Sequence, residues 1–201
     1  MGDALDSGSH RAARVDAIKH SLHDLLCHGL LEQVAETAAR RRRVLGSLVS
    51  LTFDPDPLIS WRAVEAMGLA CDRIAEADPE CVRQQVRRLH WLISAESGGI
   101  CWRAPEAMAE VVRHRPQLLA DYIPIIVSLL REMAKEDLDH FRAGVLWGIG
   151  RLGPECGDCV SESVAAITAA LDDPDSRLCR KMKKHGLSRA DVASVPAGFH
   201  M

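Results

Sequence analysis

The sequence predicts an all-α protein, folded as an α-solenoid of about four repeated helix pairs with an N-terminal helical extension. Three observations predict this fold. Apolar residues recur at helical spacing, a short motif repeats about every 40 residues, and aromatic residues make up only 4% of the 201 residues. Repeats of paired helices have periods of this size, whereas all-β domains depend on β-branched and aromatic residues. An all-β fold is therefore not expected.

The N-terminal extension is predicted to be helical from its apolar spacing. Val15, Ile18 and Leu22 fall on one side of a first helix, and Gly29 is placed to end it. The predicted organisation, in chain order, is a disordered N-terminus over 1–10, a helical extension over 11–41, a repeat solenoid over 42–187 and a C-terminal tail over 188–201.

The solenoid prediction depends on a motif in which an aromatic residue is followed by Arg-Ala. It occurs at Trp61, Trp102 and Phe141, at spacings of 41 and then 39 residues. Between the copies, residues 82–93 and 118–133 have the apolar spacing of amphipathic helices, with a kink or a late helix start expected at the proline of the second segment. Because no single pair can bury its apolar face alone, stacking of neighbouring pairs is expected.

The first copy resembles the turn and second helix of a HEAT repeat. It is similar to the short bacterial HEAT-like class named after phycobilisome lyases, whose pattern is Asp-Pro-Asp, then Val-Arg, then Ala-Ala-x-x-Leu-Gly. The matching positions are Asp54, Pro55, Asp56, Ile59, Ala63, Val64, Met67 and Gly68. The resemblance covers roughly residues 42–186 and implies an armadillo-like solenoid. The usual Arg after Val is replaced by Ser60, Cys101 and His140.

A candidate partner-binding ridge follows from this resemblance. Trp61 lies about 200° around the helix from Ile59, away from the apolar stripe. Because second helices line the concave face of such solenoids, the resemblance implies a ridge of rings and arginines, formed by Trp61, Arg62, Trp102, Arg103, Phe141 and Arg142. Trp and Arg are enriched in binding hot spots. The alternative is that neighbouring repeats bury the rings and the arginines serve as structural contacts.

Two clusters have residue types that can bind metal. Cys156 and Cys159 form a single C-x-x-C, and His20, His23 and Cys27 have i, i+3, i+7 spacing on one predicted helix. Structural zinc sites take four ligands, commonly from two such pairs, and thioredoxin-like sites need a βαβ context. The sequence therefore predicts no metal and no cofactor, with ordinary thiols and a polar helix flank instead.

Charge and motifs favour a protein partner. The net charge is −3, and no catalytic motif, signal peptide or apolar span is found. We therefore expect a non-catalytic cytoplasmic scaffold or adaptor that binds another protein and no membrane. The alternative is a nucleic-acid binder similar to HEAT-like DNA glycosylases, using the concave ridge with the basic runs 40–43 and 180–184. Nucleic-acid readers are normally basic, which favours the protein partner.

Overall fold

The computed structural model of the chain describes residues 17–93, 103–135 and 139–163. Within these ranges the backbone forms helices joined by short turns, and it contains no strand. The predicted all-α class is therefore confirmed. Trp102, the second basic run and the C-terminal tail lie outside the described residues, as does the expected disordered segment over 1–10.

The α-helices follow one another closely along the chain. They are α1 (described over 17–27), α2 (Leu31–Arg40), α3 (Val44–Leu51), α4 (Pro57–Ala75), α5 (Pro79–Trp91), α6 (Ala104–His114), α7 (Pro116–Leu119), α8 (Ile123–Lys135) and α9 (Asp139–Leu152). Short 3-10 segments cover Ala120–Tyr122 and Gly153–Ser163, the latter interrupted by a left-handed Gly157. None of the described helices has the length and hydropathy needed to cross a bilayer.

The chain divides into two compact units between Gln85 and Val86. In the first unit α4 is the central helix, and α2 and α3 pack against it. The residues that α2 buries are Val34, Ala35 and Ala38. The apolar stripe predicted on α4 is buried, confirming that helix; its members are Ile59, Ala63, Ala66, Ala70 and Ile74.

The turn that leads into α4 is held by its own aspartates. The Asp54 Oδ1 atom accepts a hydrogen bond from the Asp56 amide at 3.0 Å, and the Asp56 Oδ1 atom accepts one from the Leu58 amide at 2.8 Å. Asp56 is thus the N-cap and Pro57 the first helical residue, a combination that satisfies donors at the helix start. At the end of α1, Gly29 has φ +70°, so the predicted glycine stop is confirmed.

In the second unit α6 and α8 both pack against α9. Gly148 brings α9 close to α6, because a Cβ atom added there would lie 2.8 Å from Ala109 Cβ. Trp147 on α9 is 7% exposed and belongs to the core of this unit. Pro124 is the second residue of α8, so the late helix start is the correct alternative.

Candidate functional site

The first aromatic-arginine pair lies near the N-terminal end of α4. Trp61 is half-buried, and Arg62 points to the end of α1. The Arg62 Nη1 atom donates hydrogen bonds to the carbonyl oxygens of Leu26, at 2.7 Å, and Cys27, at 2.8 Å. The last carbonyls of a helix lack partners within the helix, so a guanidinium there satisfies acceptors and offsets the negative helix end. Arg62 thus joins α1 to α4.

We expect Arg62→Met to lower the free energy of unfolding by about 1–2 kcal/mol, because two carbonyls would lose a charged donor. Urea unfolding followed by circular dichroism would measure the change. Arg73→Met is the matched control on α4, since Arg73 makes an exposed ion pair with Glu32, and such pairs contribute about 0–1 kcal/mol. Equal losses in the two variants would contradict a special role for Arg62.

Exposed apolar side chains surround this end of α4. Leu58 is 52% exposed and lies one helical turn before Trp61 and Arg62, so the three side chains share one side of the helix. Phe53, 48% exposed, lies in the turn that leads into α4. Leu30 is 40% exposed and follows Gly29. A Cβ atom added at Gly29 would lie 3.4 Å from Arg62 Nη2, so this turn lies beside the Arg62 guanidinium. We call Leu30, Phe53, Leu58 and Trp61 the α4 patch.

Three members of the α4 patch, Leu30, Phe53 and Leu58, were not among the residues predicted from the sequence. The exposure of Leu58 could have been predicted from helical spacing. Leu58 lies about 100° from Ile59 around the helix, off the buried stripe and on the side of Trp61. Leu30 and Phe53 lie in turns, where spacing carries no information about exposure. Only the fold brings Leu30 near α4.

The other predicted ridge residues belong to the second unit. The Arg103 Nη1 atom lies 3.6 Å from Glu106 Oε1. Burial lowers the pKa of Arg103, and the Glu106 carboxylate acts in the opposite direction. Arg142 is half-buried on α9, while Trp102 and the side chain of Phe141 lie outside the description. The partner-binding role of all six ridge residues stays a prediction.

A buried carboxylate links α6 to α9. The Glu110 side chain is 1% exposed, and Arg151 donates two hydrogen bonds to it, at 3.1 and 3.0 Å. Arg113 and His114 approach the same carboxylate from α6 itself. Burial alone would raise the pKa of Glu110, but the hydrogen bonds from His114, Arg113 and Arg151 outweigh it and hold the pKa well below its usual value. This cluster was not among the sites predicted from the sequence.

The candidate metal-binding residues occupy different surroundings. His20 faces Asp24, whereas His23 lies beside Cys27 on α1. In the C-x-x-C, the Cys156 thiol is buried and directed at the Ile149 carbonyl at 3.8 Å; Cys159 is half-buried. Burial, with Cys159 and Glu155 adding to it, raises the pKa of Cys156 to about 12. Among the described residues, no group of three potential ligands could hold a metal ion.

The first basic run is engaged at the end of α2. Arg40 pairs with Glu36 one turn earlier, and the Arg42 guanidinium donates to the carbonyls of Ala38 and Ala39. Arginines near a helix C-terminus commonly satisfy its last carbonyls in this way. Part of the basic run therefore stabilises the C-terminal end of α2.

Comparisons with known proteins give one distant relative and no assigned activity. An uncharacterised protein of Archaeoglobus fulgidus is 29% identical over 126 residues, a match that covers 63% of this chain. The match covers 63% of that protein's length as well, so the chain spans less than two-thirds of its relative. No family model matches the sequence, and no solved structure matches it.

Proposed function

We propose that this protein is a non-catalytic cytoplasmic interaction module that binds another protein through the α4 patch. The observation that supports the proposal is the exposure of Leu58, Phe53 and Leu30 around one helix end, beside Trp61 and Arg62. Clustered apolar exposure marks protein-interaction sites, and Trp is enriched in their hot spots. A protein partner with apolar anchors fits this surface.

The use of the arginines also favours a protein over a nucleic acid. Arg62 is bonded to backbone carbonyls, and Arg151 and Arg113 are bonded to Glu110. Phosphate binding needs guanidinium groups that are available in one basic stripe. We therefore keep nucleic-acid binding as an outcome of the test.

We further propose that the helices stack as HEAT-like pairs. The Asp54 and Asp56 hydrogen bonds support this proposal, since they make the turn that the Asp-Pro-Asp pattern would form in such a repeat. Repeats of this kind present extended binding surfaces to partners. An experimental structure of the full chain would test it by showing whether successive helix pairs pack in the same order.

The partner proposal predicts a specific loss of binding. Replacing Leu30, Phe53 and Leu58 together by serine is expected to weaken partner binding at least about tenfold, since hot-spot truncations cost more than 1 kcal/mol each. The measurement is affinity capture from native lysate, with and without nuclease treatment, with quantitative mass spectrometry, followed by titration of the captured protein. Fold retention is checked by circular dichroism.

Trp91→Ser is the matched control, because Trp91 is 51% exposed but lies on α5. The proposal requires proteins that the wild type and the control capture and that the triple variant loses. Equal capture by all three proteins would contradict it. Capture that disappears with nuclease treatment would instead favour the nucleic-acid alternative.

A further inference from the structure

A thiol, an imidazole and a carboxylate are aligned between the end of α1 and the turn before α4. The Cys27 Sγ atom lies 3.5 Å from His23 Nδ1, one helical turn away. The other ring nitrogen of His23, Nε2, lies 3.6 Å from Asp54 Oδ2. Nucleophile, base and orienting carboxylate are arranged in this order in enzymes that activate a thiol or hydroxyl.

Asp54 and His23 are each oriented by two contacts. The Asp54 Oδ1 atom is held by the Asp56 amide, which leaves Oδ2 facing His23. A carboxylate beside Nε2 favours a proton on that nitrogen, and the Nδ1 lone pair is then directed at the thiol of Cys27. His23 is therefore placed to accept the Cys27 proton.

Arg62 brings a permanent positive charge to the end of α1 that carries Cys27. Cys27 is at the C-terminal end of α1, where the helix dipole opposes a negative charge. The Arg62 Nη1 atom binds the Leu26 and Cys27 carbonyls, so the guanidinium offsets the negative helix end at the cysteine itself.

Exposure distinguishes Cys27 from the buried thiols of the described residues. Cys27 is exposed, whereas Cys71 and Cys156 are buried. Burial, reinforced by Cys81, raises the pKa of the Cys71 thiol well above its usual range. Reagents in solution can therefore reach the cysteine that has a base beside it.

We propose that Cys27 is a site of reversible S-thiolation by low-molecular-weight disulfides, with His23 as the base. The Cys27 S–H bond breaks as its proton moves to His23 Nδ1. The thiolate attacks one sulfur of the disulfide, a new S–S bond forms, and the old S–S bond breaks. The departing thiolate takes the proton from His23. Cys27 sulfur is oxidised, the departing sulfur is reduced, and a second thiol reverses the reaction.

The test uses the reduced full-length protein and oxidised glutathione. Samples are quenched with acid over time, the remaining thiols are alkylated, and peptide mass spectrometry gives adduct occupancy at Cys27, Cys71 and Cys156. We expect Cys27 to react before Cys71 and Cys156. His23→Gln should slow the reaction of Cys27 about tenfold, which is less than a general base usually contributes, because the site is exposed. His20→Gln makes the same change on the same helix and should leave the rate unchanged, since His20 faces Asp24.

Asp54 acts through His23 and is a positioning residue. Asp54→Asn keeps an oxygen for the Asp56 amide but removes the charge from His23, so it should slow Cys27 thiolation several-fold and leave the circular dichroism spectrum unchanged. A rate in His23→Gln equal to that of the folded wild type would overturn the proposal. So would a native wild-type rate at Cys27 no faster than its rate in guanidinium-unfolded chain, a comparison that needs no folded variant.

Discussion

Glu110→Gln is expected to lower the free energy of unfolding of the second unit by about 3–5 kcal/mol. The Glu110 carboxylate is buried and binds Arg113 and Arg151, so the substitution removes a charge that both guanidinium groups need. Removing one partner of a buried ion pair is costly because the charges left behind have lost much of their water. The Arg113 and Arg151 side chains are 33% and 35% exposed, which places the cost at the lower end of this range. Urea unfolding measures the loss, and hydrogen exchange of α6 and α9 peptides locates it.

The same interaction should make stability depend on pH with a definite sign. Hydrogen bonds from His114, Arg113 and Arg151 hold the native pKa of Glu110 below its value of 4.5 in the unfolded chain. The unfolded state therefore binds more protons, and the contribution of Glu110 is complete above the unfolded pKa and is lost as the pH falls toward the native one. The difference between wild type and Glu110→Gln should shrink from pH 6 to pH 3.

Glu132→Gln is the matched control, because Glu132 is exposed on α8, where its Oε1 atom accepts a hydrogen bond from the Ser128 hydroxyl at 3.1 Å. Its expected effect is within about 0.5 kcal/mol, as for most surface substitutions. A loss in Glu110→Gln that is no larger than the control, or that is constant across the acid range, would contradict the assigned role of Glu110.

Local features of this fold were predictable from sequence. The Asp-Pro-Asp-Pro turn, the glycine stop at Gly29, the buried stripe of α4 and the start of α8 near Pro124 each depend on residues within a few positions of one another. Capping, glycine conformation and apolar spacing act over that range, so the local sequence was sufficient to predict these features.

The surroundings of the candidate site residues were not predictable in the same way. Arg62 binds carbonyls 36 and 35 residues earlier, and Arg151 binds Glu110 from 41 residues away. Helical spacing places Glu110 on α6 and Arg151 on α9 but does not show that they meet. His23 and Cys27 were recognised as neighbours on one helix, whereas their alignment with Asp54 depends on how α1 packs near the turn before α4.

Gly148→Ala is expected to lower the free energy of unfolding by about 2–3 kcal/mol, although Gly→Ala in an open helix position stabilises by about 1 kcal/mol. The added Cβ would lie 2.8 Å from Ala109 Cβ, with Pro105 O at 3.7 Å and Ile126 Cγ2 at 4.0 Å. Ala109 Cβ is fixed to the α6 backbone, so the helices must separate to accept the methyl group. Thermal and urea unfolding measure the cost. Ala109→Gly in the same chain should recover at least about 1 kcal/mol relative to the sum of the single changes. If Gly148→Ala were more stable than the wild type, or if its effect were strictly additive with that of Ala109→Gly, this contact would not set the distance between α6 and α9.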